Sequence, residues 1–255
     1  MNDQPLLTER RDRVLLITLN RPDARNAVNL AMAEAMDAAL TELDSTDQLS
    51  LGVITGEGKG FSSGMDLKAF AGGERPWAGE RGFAGIVQKP TEKPLIAAIE
   101  GFAVAGGLEI ALACDLIVAA RDAKLGIPEA KRGLVAAAGA LRRLPRRLPA
   151  AIAMELALTG DTITAERAAE LGLINRLADR GKALDVALEL ADEVAANAPL
   201  ALRASKTILN EQWFWDDETF WAKQGELIAP VFSSEDAIEG ATAFAEKRDP
   251  NWKGR

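Results

Sequence analysis

Residues 94–120 read "PLIAAIEGFAVAGGLEIALACDLIVAA". The first eight form a short apolar run closed by Gly101, which reads as a strand. Gly106 and Gly107 then open an apolar helix, and "DLIVAA" (115–120) reads as a second strand. From 103 to Cys114 everything is apolar except Glu109. Strands this uniformly apolar belong to a sheet covered on both faces.

Working outward, "VLLITLN" (14–20) and "LGVIT" (51–55) are two more such strands. The Ala/Leu/Met-rich "LAMAEAMDAALTEL" (30–43) between them is helical by propensity. From about Ala150 the sequence predicts helix after helix. In "KALDVALELADEVAAN", Ala183, Ala187, Leu190 and Val194 fall on one stripe. A last helix is predicted after Ser234, with Glu235 and Asp236 in its first turn. The expected fold class is α/β: a core over 1–200 carrying the site, then a C-terminal helical region over 201–255.

The 255 residues carry a net charge of −8, one cysteine and no histidine. Cys114 alone makes no intrachain disulfide and points to a cytoplasmic protein. So few soft ligands leave no zinc, haem or iron–sulfur site, and no metal is expected. No apolar run approaches a membrane span and no leader pattern opens the chain, so no membrane partner is expected. The acidic balance argues against nucleic acid. The basic "LRRLPRRLP" (141–149) is read as a solvated or intersubunit face. "GEGKG" (56–60) lacks the spacing of a phosphate-binding loop.

Residues 60–64, "GFSSG", fit the G-x-S-x-G nucleophile elbow. With no histidine to take a proton from Ser62, and no S-x-x-K, the hydrolase reading fails. A glycine turn can still act through its backbone. "GFSSGMD" and "AGGLE" each lead from a strand into a helix, where free N–H groups can converge on one oxygen. Two such donors make an oxyanion hole for an enolate formed beside a thioester. Two carboxylates accompany them. Glu109 is costly to bury as an anion, which makes it a candidate acid or base. Glu129 in "LGIPEAKRGL" (125–134) could equally be a first-turn helix acid. Two carboxylates facing one cavity can divide acid and base roles.

At this point the chain resembles the enoyl-CoA hydratase/isomerase, or crotonase, superfamily. The blocks that carry the resemblance are "LNRPDARNAVN", "GEGKGFSSGMDLKAF", "KPLIAAIEGFAVAGGLEIALACDLIVA", "GIPEAKRGL", "ELGLINRL" and "SEDAIEGATAFAEKRDPNWKGR". The resemblance implies a crotonase-type spiral of ββα units with a C-terminal helical trimerisation region, assembled as a homotrimer or dimer of trimers. It places Met65 and Gly106 as backbone oxyanion donors, and Glu109 and Glu129 as the glutamates that handle water. Ala24, Arg25, Ser63, Gly64, Asp66, Leu67 and Lys68 fall where relatives bind coenzyme A or substrate. Phe244 and Lys247 match residues that reach CoA, in some relatives from a neighbouring subunit. The implied activity is hydration of a trans-2-enoyl-CoA without a further cofactor, CoA entering as part of the substrate. The ending of the chain and "GFAGI" (82–86) also resemble carnitinyl-CoA dehydratases, and an enoyl-CoA isomerase is a further alternative. One departure concerns "AAAGA" (136–140), where relatives commonly have Pro-Gly-Ala-Gly-Gly. Ala137 should be less adaptable there than glycine, with water placement at stake. The segment 69–89 is expected to be a mobile, glycine-rich wall of the acyl pocket, with Trp77 and Phe83 facing an apolar chain. The aromatic "WFWDDETFW" (213–221) is expected in the core or at a subunit interface.

Overall fold

Strands β1 (Leu6–Arg11) and β2 (Val14–Leu19) pair antiparallel at the start of the computed structural model, which describes residues 4–255. Helix α1 (Leu30–Ser45) follows, capped by the Asn29 side chain, which accepts from Met32 N–H. Then come β3 (Leu51–Gly56), the short α2 (Leu67–Ala71) and a two-strand ribbon, β4 (Trp77–Ala78) with β5 (Gly82–Phe83). The quoted central segment becomes β6 (Leu95–Ile99), β7 (Phe102–Val104), α3 (Gly106–Ala113) and β8 (Leu116–Ala120). Next are β9 (Lys124–Gly126), α4 (Ala140–Arg147), α5 (Ala150–Thr159), β10 (Thr162–Thr164), α6 (Ala165–Glu170) and β11 (Arg176–Ala178). The chain ends in α7 (Ala183–Ala195), α8 (Pro199–Glu211), α9 (Asp217–Phe232) and α10 (Glu235–Glu246).

The main sheet has the order β1-β2-β3-β6-β8-β11, parallel throughout except for the β1–β2 pair. A second sheet runs β10-β9-β7. Each time the chain leaves the main sheet, at β6 and again at β8, it turns into a short strand of the second sheet. This is the spiral of ββα units that the resemblance implies. Gly101 makes the first of these corners at φ +57, and a Cβ there would collide with the carbonyl of Lys59.

Alternate residues of the main strands feed two separate cores. Leu15, Ile17, Ile54, Ala97, Ile99 and Ile117 face α1 and α3. Val14, Leu16, Leu51, Val53, Ile96 and Val118 face α7, whose Ala183, Ala187, Leu190 and Ala191 are buried. Both faces being covered explains why the sequence shows apolar runs rather than alternation.

Two strands of the main sheet escape the sequence reading. β1 is an edge strand with only Leu6 buried, so its Glu9, Arg10 and Arg11 hide the pattern. β11, in the expected all-helical third, is three residues long yet completes the main sheet beside β8. The aromatic stretch is not core within this chain, because Trp213, Phe214 and Trp221 are exposed. Residues 77–88 are not a free loop either. Arg81 is buried, pairs with Asp37 and Asp44 at 3.3 and 3.1 Å and donates to Lys89 O, which fixes the ribbon to α1.

Lys93 is 1% exposed, and its Nζ donates to Leu43 O and Thr46 O at 2.8 and 2.6 Å, closing the C-terminal end of α1. Lys93→Met leaves those carbonyls without their charged donor. The substitution should lower unfolding free energy by about 1–3 kcal/mol, read as a lower urea midpoint at unchanged slope.

Candidate active site

Asn26 ties together the strands and turns from which the site is built. It is fully buried, donates from Nδ2 to Glu57 O and Gly60 O, and accepts at Oδ1 from Arg21 N–H. Its carbonyl accepts the Ser62 hydroxyl at 2.7 Å, and Ser62 Oγ in turn accepts Gly64 N–H. Ser62 is therefore a buried strut, as the failed hydrolase reading requires. Val28 pairs with Met65 through Val28 N–H to Gly64 O and Asp66 N–H to Val28 O. That pairing turns the Met65 N–H to the opposite side. Neither it nor the Gly106 N–H donates to an acceptor among the described residues.

The two turns touch. Gly64 has φ +89, and a Cβ there would lie 2.6 Å from Gly106 N. On the other side Ala105 enters α3 at φ 52, ψ −132, a strained conformation for a residue with a side chain. Gly106 N–H is the first free donor of this eight-residue helix. Two free backbone donors thus stand on turns that touch.

Glu109, one turn into α3, is 3% exposed. Its Oε1 accepts Ala138 N–H at 2.7 Å and Ala140 N–H at 3.0 Å. Burial raises its pKa, while the amides of Ala140 and Ala138 and the Arg143 guanidinium pull it back. Glu129 lies in a short 3-10 turn, Pro128–Arg132, after β9. Burial lifts it to about 7, its own backbone N–H opposes the rise, and the Glu109 carboxylate adds to it. Its Oε2 is buried with no hydrogen-bond partner among the described residues. The two carboxylates sense one another, yet one is cradled by amides and the other is not, which separates their protonation.

In "AAAGA", Gly139 stands at φ +106 as the N-cap of α4, whereas none of the four alanines has positive φ. Glycine is kept where the backbone requires it. The expected rigidity at Ala137 has no conformational basis, and the amides holding Glu109 belong to Ala138 and Ala140.

The remaining residues singled out from the sequence divide into two groups. Ala24, Arg25, Ser63, Gly64, Asp66, Leu67 and Lys68 come together beside Met65, with Ser63 N–H donating to Arg25 O at 3.0 Å. Asp66 caps α2 through Lys68 and Ala69 N–H. Burial would raise the Asp66 pKa, but the Ala69 amide and the Arg21 guanidinium, 3.0 Å away, hold it low. Arg25 and Lys68 are exposed. Phe244 and Lys247 are not brought into this cluster by their own chain. They end α10, which is tied to the C-terminal tail by Asp236 accepting Lys253 and Gly254 N–H, and Phe244 is 88% exposed. Cys114 is fully buried, with its pKa pushed up to about 12 by burial, and is inert packing.

Sequence reasoning passed over Asn26, Arg21 and Arg143. The first two lie in "LNRPDARN", where a buried amide looks like any turn residue. Arg143 and Arg147 correct the solvated-face expectation for "LRRLPRRLP". Arg143 donates to Val87 O at 2.5 Å and Ala138 O at 3.3 Å, and Arg147 to Cys114 O at 2.7 Å. Arginines four apart on one inward helical face were the available signal.

Beside the turns lies a cavity of about 690 Å3 lined by Trp77, Phe83, Ala137, Ala138 and Gly139, among others. The Phe83 ring packs on Gly106, where a Cβ would come within 2.6 Å of it, and meets Trp77 edge-on at 5.7 Å. The lining of the cavity therefore meets the site at Phe83, which packs on Gly106, and at Ala138, whose amide holds Glu109.

A sequence model of the family "Enoyl-CoA hydratase/isomerase" matches residues 9–255. A carnitinyl-CoA dehydratase of Salmonella paratyphi A is 44% identical over 250 residues, 95% of each chain. Among solved structures, an enoyl-CoA hydratase from Mycobacterium tuberculosis H37Rv superposes with a TM-score of 0.97 at 55% identity, covering 99% of this chain and 100% of that one. A carnitinyl-CoA hydratase from Mycobacterium avium superposes at 0.80 with 44% identity over the whole of both chains. The chain belongs to the enoyl-CoA hydratase/isomerase family and has the crotonase fold.

Proposed function

We propose that the protein is an enoyl-CoA hydratase, adding water reversibly and syn across the C2–C3 double bond of a trans-2-enoyl-CoA. The observation that carries this is the pair Glu109 and Glu129, differently solvated, together with two free amides on turns that touch. The thioester oxygen accepts from Met65 and Gly106 N–H, so negative charge gathers there as C3 is attacked. Glu109, whose carboxylate accepts the Ala138 and Ala140 amides, takes a proton from the attacking water. Glu129, still half protonated near neutrality, delivers a proton to C2. Both carboxylates act from one side of the alkene, which makes the addition syn.

Arg25 and Lys68 meet the CoA phosphates, Ala24 and Ser63 its adenosine end, and Gly64, Asp66 and Leu67 complete the groove. Phe244 and Lys247 serve CoA across the interface of a homotrimer or dimer of trimers. Exposed Trp221, Phe232 and Ile238 on α9 and α10 give such an assembly apolar surface to cover. No metal or organic cofactor is needed beyond the CoA of the substrate. Among the described residues no helix is long and apolar enough to cross a membrane, in keeping with work in the cytoplasm. The similarity to a carnitinyl-CoA dehydratase supports a second reading, the same chemistry on a polar acyl-CoA.

Glu109→Gln and Glu129→Gln should each cut the hydration rate roughly 10²–10⁴-fold with CoA-ester affinity nearly kept. This is measured by loss of enoyl-thioester absorbance and by titration, and near wild-type turnover in either would contradict the two-carboxylate assignment. Because hydration uses the acid form of Glu129, kcat/KM for hydration should fall as pH rises through about 7. Dehydration should fall in parallel, because the reaction takes up no net proton and both directions use the singly protonated pair, and Glu129→Gln should remove both dependences.

Stability supplies an independent check. The folded pKa of Glu129 lies above its ordinary 4.5, so its ionised form opposes folding. That stability is present below pH 4.5 and lost as pH rises towards 7. Glu129→Gln should then stabilise the protein at pH 8 by up to about 3 kcal/mol and by nothing at pH 4, measured by urea unfolding.

A further inference from the structure

The end of the cavity away from Gly106 is basic. Arg142, Arg143, Arg146 and Arg147, all on α4 or at its end, line it. Among the described residues none of the four is in an ion pair. Arg143 and Arg147 lean on the neutral carbonyls of Val87, Ala138 and Cys114. Arg142 stacks on Phe214 at 4.5 Å, and Arg146 on Phe214 and Trp213 at 5.1 and 5.4 Å. The nearby acids are outnumbered: Asp115 is shared between Arg147 and Lys206, which holds it at 2.8 Å, Glu109 acts on Arg143, and Glu211 is exposed at the rim. A guanidinium has five donors in a fork suited to a carboxylate. Arg143 spends two on carbonyls and Arg147 one, so donors remain on both. Arg143 is crowded by Arg147 and Arg142, and such an excess of positive charge is relieved when an anion joins it.

The same cavity is lined by Trp77, Phe83 and Val87, apolar surface suited to methylenes, and Phe83 packs on Gly106. We infer that the acyl group of the substrate carries a carboxylate at its far end, held by the α4 arginines while the thioester lies on the Met65 and Gly106 amides. The inference rests on the acyl-CoA reading above and names its substrate class: the monothioester of an unsaturated dicarboxylic acid. It also sets the pocket against a trimethylammonium group, because a fixed cation meets four others there.

The test compares three length-matched 2-enoyl-CoA esters ending in a methyl, a carboxylate or a trimethylammonium group. Wild type should hydrate the carboxylate ester with kcat/KM at least about tenfold above the methyl ester and the cationic ester least. Arg142→Gln/Arg146→Gln removes two exposed cations whose only contacts are the stacked rings. Together with Arg147→Gln, it should shrink the carboxylate preference and leave the methyl ester within about threefold. Equal or better use of the methyl or cationic ester, or equal losses on all esters in the variants, would overturn the assignment. If no ester is hydrated, the hydratase reading fails by itself, and the affinities of the matching saturated acyl-CoAs decide the pocket. Tighter binding of the carboxylate ester, weakened in the variants, supports it, and indifference to the terminal group refutes it.

Discussion

The close approach of Gly64 to Gly106 is the constraint on which the rest of the site depends. Two turns from different parts of the chain cross with no room for a side-chain carbon between them. That crossing brings together the turns that carry the Met65 and Gly106 amides. The surrounding structure holds it in place: Asn26 and Ser62 brace the first turn, and the strained Ala105 orients the second. A conformation such as that of Ala105 persists only where its surroundings over-determine it. Here those surroundings are β7 and the head of α3, fixed by the two sheets.

The same scaffold separates the two glutamates. Glu109 rides on α3 and meets amides from the start of α4, so donors pull against burial there. Glu129 rides on the turn after β9 and gains no such donors, so burial dominates. Identical side chains acquire different proton affinities from where the spiral places them. The arginines of α4 extend this electrostatic division into the cavity, with Arg143 near enough to Glu109 to pull its pKa down.

Much of this architecture was legible in the sequence. The strands at 14–20, 51–55, 94–101 and 115–120, and the stripe of α7, were readable because two-sided burial leaves unbroken apolar runs. The isolated Glu109 was readable because a lone charge in such a run is expensive. β1 and β11 were not, because an edge strand shows little apolar pattern and three residues carry no period. Asn26, whose value lies in three distant partners, gave no local signal. Nor did the Ala138 and Ala140 amides, since a backbone donor is independent of side-chain identity. The basic run at 141–149 was misread because charge in a sequence suggests solvent, while Arg143 and Arg147 find carbonyls inside. Phe244 and Lys247, matched through the family resemblance, stand away from the cluster within one chain.

The most direct test of the central claim is the infrared stretch of the thioester carbonyl, carbon-13 labelled for assignment. The ester would be a 2-enoyl-CoA bound to the Glu109→Gln/Glu129→Gln double variant, which should hold it without turnover. If the Met65 and Gly106 amides both donate to that oxygen, the stretch moves below its frequency in water, because two fixed donors polarise the bond more than mobile solvent. A bound ester whose carbonyl absorbs where it does in water would contradict the account, whatever its rate of hydration.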